Sequence, residues 1–147
     1  MRIYVASSWR NPRQPGVVEA LRANGHEVYD FRNPHLGPGA RGVGFHWSSI
    51  DPHWKDWTPE SFRYALSHPL ARDGFESDLA GMEWADAIVL VMPCGRSAHL
   101  EMGYGVGAGK RTAILLSDGE PELMYGLAEK LCTTLPELLA WLKDVEP

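Results

Sequence analysis

The apolar positions of the chain fall alternately into short continuous runs and helical stripes. Arg2 is followed by Ile3, Tyr4, Val5 and Ala6. Such a run predicts a strand covered on both faces. Ser7, Ser8 and Trp9 leave it, and the following RNPRQP is dense in turn residues. Over residues 14–24, Val17, Val18, Leu21 and Ala23 recur at helical spacing, and Gly25 stands where a helix would end. Residues 27–31, EVYDF, predict a second strand. Thr58, Pro59 and Glu60 predict the cap and first turn of a helix to about residue 67, which Pro69 ends. A further helix is predicted from about Leu70 or Phe75 to residue 85. A third strand follows over residues 87–92, a helix from Ser97, and a fourth strand over residues 112–117. A short helix from Pro121 to about residue 128, a weak fifth strand over 131–135 and a closing helix over 136–143 complete the pattern.

Five strand–helix repeats predict a single α/β domain over residues 1–147. Its expected architecture is three-layered and flavodoxin-like, with a five-stranded parallel sheet in the order 2-1-3-4-5. In that order the first and third strands are neighbours, and their crossovers go to opposite faces. Ligands bind at such a switch point, beyond the carboxyl ends of the strands. The loops bordering it are residues 6–10 and 93–97. Topology alone therefore gathers Tyr4, Ser7, Trp9 and Arg10 near Ser97 and Glu101.

Residues 33–58 break the rhythm. This Trp/Gly-rich insert after the second strand has neither helical nor strand periodicity. A loop of that length in a small domain is commonly functional. It carries Trp47, Trp54 and Trp57, which with Trp9 lie outside the predicted core and suggest a binding surface.

Composition narrows the classes. A net charge of −5 argues against binding a nucleic acid polymer. No apolar run approaches the length of a membrane span, and no signal-peptide core is visible, so a cytoplasmic protein is expected. Cys94 and Cys132 form no disulfide framework or zinc pattern.

The densest candidate chemistry lies in residues 88–110. The third strand breaks at Pro93, Cys94 and Gly95. Ser97 is then the expected cap of a helix carrying Glu101 in its opening turns. Free N–H groups and the helix dipole there favour an anion, so Glu101 is expected to stay ionised at neutral pH, as a nucleophile requires. The plainer reading is an acidic residue near a helix start. Gly103, Gly105, Gly107 and Gly109 inside that helix suggest close approach to the sheet or to another helix. Cys94 with His99 does not make a phosphatase loop, because the required Arg position holds Leu100. GYGVGAGK fails the phosphate-loop pattern at Tyr104 and Arg111. His35, His46, His53 and Asp51 are irregularly spaced for a metal. No metal and no cofactor is expected. Asp86, at the turn into the third strand, reads as structural, whereas Asp78 is open between a solvated helix face and a role in the site.

Several of these segments together resemble a known family. IYVASSW at the start, Asp78 eight residues before Asp86, AIVLVMP, and HLEMGYGVGAGK are similar to the nucleoside 2-deoxyribosyltransferases. Their superfamily includes the 2'-deoxynucleoside 5'-monophosphate N-hydrolases. The resemblance implies that Glu101 is the nucleophile, that Tyr4 orients it, and that Asp78 contacts the sugar or assists the leaving base. It implies a small-molecule nucleoside or nucleotide as partner, and a homodimer or larger homo-oligomer. The loop before Glu101 reads CGRSAH and lacks the acidic residue usual in the transferases. Gly95, Arg96 and Ser97, with Ser7 and Arg10, could instead hold a 5'-phosphate, as in the hydrolases. Trp9, Trp47 and His99 complete the expected substrate contacts, with no specific role for His99. Two other readings compete: a non-catalytic nucleotide-binding domain, and an interaction module docking a partner on the Trp-rich loop.

Overall fold

The computed structural model describes residues 1–34 and 44–144. Five parallel strands, β1 (Arg2–Ala6), β2 (Glu27–Asp30), β3 (Ala87–Val91), β4 (Arg111–Leu115) and β5 (Lys130–Cys132), form one sheet in the order β2-β1-β3-β4-β5. The α-helices are α1 (Gln14–Ala23), α2 (Pro59–Ala65), α3 (Pro69–Trp84), α4 (Arg96–Gly107) and α5 (Leu135–Lys143). The predicted fold class and strand order are thus those observed.

Side chains alternate across the sheet, as the period of two requires. Ile3, Val5, Val28, Val89 and Leu115 point to one face and pack with Val17, Val18 and Leu21 of α1 and Leu138 and Leu142 of α5. Tyr4, Tyr29, Ile88, Leu90 and Ile114 point to the other, where they meet Met82 of α3 and Ala98 and Met102 of α4. The first face is apolar but for one buried pair at its rim, Gln14 Nε2 of α1 donating to Asp30 Oδ1 of β2 at 2.8 Å. The second carries two phenols into an otherwise apolar layer, and there the candidate chemistry lies. Asp86 is structural, as expected: its carboxylate accepts the backbone N–H of Arg2 at 2.9 Å and pairs with that residue's guanidinium. The arrangement ties β1 to the turn before β3.

Several local expectations are corrected. Pro69 does not end a helix but begins α3, capped by His68, whose Nδ1 accepts the Leu70 N–H at 3.1 Å. Proline is tolerated in a first turn because its missing N–H would be unpaired there anyway. Ser97 does not cap α4. Gly95 holds that position with no side-chain cap bond, and the helix starts one residue before Ser97. The short helix after Pro121 is a 3-10 segment, Leu123–Leu127. Of the four glycines, Gly105 fits the close-approach reading, since a Cβ there would lie 2.7 Å from Ile88 Cδ1. Gly109 lies beyond the helix at φ +70°, a left-handed turn residue. Among the described residues, Gly103 and Gly107 face open space.

Candidate active site

The site begins with two register partners. Tyr4 on β1 pairs with Tyr29 on β2, so both phenols stand on the same face. Their rings stack 5.0 Å apart and 8° from parallel. Helix α3 lies directly over Tyr29: a Cβ on Gly81 would come within 2.7–2.8 Å of three ring atoms. Residues 74, 78 and 81 share one face of α3 at helical spacing. Gly74 seats Phe45 of the insert, Asp78 follows one turn on, and Gly81 seats Tyr29.

A hydrogen-bonded chain results. The Tyr29 hydroxyl donates to Asp78 Oδ1 at 2.8 Å and lies 2.9 Å from Ser77 Oγ. A phenol has one proton to give, so Ser77 is the donor in the second bond. The Tyr4 hydroxyl is different. It is buried and, among the described residues, has no hydrogen-bond partner. It stands close enough to Glu101 of α4 to favour that carboxylate, yet outside hydrogen-bond geometry. In turn, burial, Glu101 and Asp78 hold the Tyr4 hydroxyl firmly protonated.

Each carboxyl therefore has its own phenol, and the two carboxyls feel each other. Burial, reinforced by the charge of Asp78 and only partly offset by Tyr4, pushes Glu101 up to about 8. Burial, partly offset by the Tyr29 bond, pushes Asp78 up to about 6. Among the described residues neither carboxyl is paired with a cation. At neutral pH the pair holds close to one proton, carried by Glu101. This corrects the expectation of an ionised Glu101. Glu101 is the sixth residue of α4, beyond the turn in which free N–H groups and the dipole act. Desolvation is the larger effect.

Other predicted residues lie nearby with different occupations. Ser7 Oγ donates to Val91 O at 2.9 Å and accepts from Asn11 Nδ2 at 3.0 Å, pinning the loop after β1 to the end of β3. Trp9 Nε1 donates to Phe45 O at 3.1 Å, and its ring meets Phe31 edge-on. Trp9 thereby anchors the insert. Trp47 packs with Phe45, Trp57 and Phe62 in an aromatic cluster. Arg10, Gly95, Arg96 and Ser97 are exposed. His99 is held at both nitrogens. Nδ1 lies 2.7 Å from Gly95 O, which can only accept, so Nδ1 carries a proton, and Nε2 lies 2.7 Å from the Tyr125 hydroxyl. Burial pushes the Cys94 thiol up to about 12, leaving no thiolate to attack.

Asp51 accepts the His53 N–H and the Trp57 indole N–H, and His46 caps the 3-10 turn Trp47–Ser49. His35 lies outside the described residues. Among the described residues no group of three His, Cys, Asp or Glu could hold a metal ion. A cavity of about 340 Å³ lies between α4 and the 3-10 segment Leu123–Leu127. His99 and Tyr125 line it, but Glu101, Asp78 and Tyr4 do not.

Three residues of the site escaped the sequence reading: Tyr29, Ser77 and Gly81. Only the register pairing of a second tyrosine with Tyr4 could have pointed to them. The Gly81 contact is testable. Gly81→Ala gains helix propensity, but its methyl group must displace a buried ring. We expect a net loss of about 1–3 kcal/mol in chemical denaturation. Gly103→Ala, facing open space in the next helix, should gain about 0.5–1 kcal/mol in the same measurement.

The fold and site define a flavodoxin-like α/β domain with paired carboxyls beside its central strand. Solved structures share the fold. The chain is similar to the 2-deoxyribosyltransferase of the psychrotolerant bacterium Bacillus psychrosaccharolyticus. The TM-score is 0.59 at 20% identity, covering 95% of this chain and 90% of that one. It is also similar to a CMP N-glycosidase of Clostridium botulinum, with a TM-score of 0.51 at 16% identity, covering 97% and 98% of the two chains. No family model and no curated protein sequence matches the chain. Among the described residues no helix is long and apolar enough to cross a membrane.

Proposed function

We propose that the protein is an enzyme that breaks or exchanges the N-glycosidic bond of a nucleoside or nucleotide, with Glu101 as nucleophile. One observation carries this reading: two half-buried carboxyls, each set against one of two stacked phenols, are both held above the ordinary carboxylate range, and among the described residues the Tyr4 phenol has no hydrogen-bond partner. Glycosyl transfer with a covalent intermediate needs one carboxylate to attack and one acid to protonate the leaving group. The reacting form has the proton on Asp78. Glu101 then attacks C1' as the bond to the base breaks, and Asp78 protonates the departing base. The Tyr4 hydroxyl closes onto the Glu101 carboxylate and orients it. Water, or a second base, next attacks C1' of the ester and releases Glu101. The names of the two structural neighbours, a deoxyribosyltransferase and an N-glycosidase, support this class of reaction.

A second reading, hydrolysis of a 5'-monophosphate, is favoured by the start of α4. Arg96 and Ser97 are exposed there, as is Arg10, and among the described residues the side chains of these three make no hydrogen bond or ion pair. A phosphate would meet cationic and N–H donors in that position. We also propose a homodimer or larger assembly, supported by the exposed Leu100 and Tyr104 on α4 and by the exposed Leu123 and Met124.

The test is a panel of deoxynucleosides, ribonucleosides and their monophosphates, each with and without an added free base. Released or exchanged base in any arm supports the proposal, and phosphate dependence selects the second reading. No release and no exchange in every arm would overturn both.

A further inference from the structure

We propose that Tyr29 is a positioning residue that, through the chain Ser77–Tyr29–Asp78, makes Asp78 the carboxyl that rests ionised and leaves the resting proton on Glu101. The inference rests on the glycosyl-transfer reading above and adds to it a residue on β2 that touches no reacting atom.

The geometry is asymmetric. Two stacked phenols in register serve two carboxyls, but only one of them is engaged. Tyr29 donates at 2.8 Å to Asp78 and is itself polarised by Ser77 at 2.9 Å. Among the described residues Tyr4 makes no side-chain hydrogen bond. A donor bonded to a carboxylate favours its charged form, whereas an unengaged donor contributes little. The groups facing Asp78 are Tyr29 from β2, Tyr4 from β1 and Glu101 from α4. No cation is among them. Burial raises both carboxyls and the charge of Asp78 raises Glu101 further, and the Tyr29 bond, by favouring the charged form of Asp78, fixes which of the two gives up its proton first. Packing keeps this bond in place. Gly81 leaves no room above the ring, and Tyr4 stacks below it. Tyr29 can neither swing to Glu101 nor release Asp78 without moving α3. The enzyme would therefore rest with its nucleophile protonated, and it would become reactive when substrate draws the proton across to Asp78.

Tyr29→Phe tests this. The ring, its stack and its seat under Gly81 remain, and only the hydroxyl is lost. The measurement is a pH titration of the full chain labelled with 13C at its Asp and Glu carboxyls. Wild type should show Asp78 titrating below Glu101. In Tyr29→Phe the Asp78 midpoint should rise by about one unit, the worth of one hydrogen bond to a charged group, closing the gap to Glu101. Ser77→Ala removes the outer donor, keeps the phenol, and should shift Asp78 upward by less. It reads the same chain should Tyr29→Phe fail to fold. An Asp78 midpoint unmoved in the folded variants would overturn the proposal. The titration uses no substrate, so its failure is distinct from a failure of the base-release panel. Where base is released, the acidic limb of the pH–rate profile of Tyr29→Phe should move upward with Asp78. A purely structural role for Tyr29 would not move that limb.

Discussion

Glu101→Gln should lower base release by about three orders of magnitude or more, measured under saturating substrate. The amide keeps the size of the side chain and its place in the second turn of α4. It cannot form a glycosyl ester, and it cannot pass a proton to Asp78. The loss should fall on kcat with little change in KM, because binding of sugar and base does not depend on the attacking oxygen. Tyr4→Phe should retain far more activity, since it removes only an orienting hydroxyl. A Glu101→Gln protein with the wild-type rate would remove Glu101 from the mechanism.

The same substitution should stabilise the protein at alkaline pH. Glu101 and Asp78 both have folded-state pKa values above their ordinary ones, about 8 and about 6, chiefly through burial. The folded chain therefore binds more protons than the unfolded chain across that window. The stability these two groups contribute is fully present below their unfolded values, under about pH 3.8. It falls as pH rises, and the whole cost is present only above pH 8. For Glu101 that cost is on the order of 5 kcal/mol. Thermal unfolding at pH 9 should show Glu101→Gln melting well above wild type, with the two nearly equal at pH 4.5. A wild-type melting temperature flat from pH 5 to 9 would mean that neither carboxyl is desolvated. Function and stability thus oppose each other at this residue, as is common where a site holds charge away from water.

Much of the fold was legible in the chain because its signals are local. Continuous apolar runs such as residues 88–91 mark strands covered on both faces. Thr58 and Pro59 mark a helix start whatever lies around them, and the Thr58 side chain does accept the Ser61 N–H. The strand order followed from the alternation of elements. What stayed hidden depends on partners distant in sequence. Tyr29 looks like an ordinary residue of EVYDF until β1 lies beside it. Gly81 looks like a weak point of α3 until a ring is found beneath it. The protonation of Glu101 was misread for the same reason. The helix dipole can be inferred from sequence, whereas enclosure by α3, α4 and the sheet cannot. Ser7 lies between the ends of β1 and β3, but its polar atom ties those strands together, and that of Trp9 holds the insert.

The most direct measurement of the central claim is the mass of the intact protein after incubation with a 2'-fluoroarabinosyl nucleoside or its monophosphate and quenching in acid. Fluorine at C2' destabilises the oxocarbenium-like transition state and prolongs the life of any glycosyl ester. The account predicts a gain of one glycosyl unit, mapped by peptide fragmentation to Glu101. Base release with no adduct, or with an adduct on another residue, would contradict it.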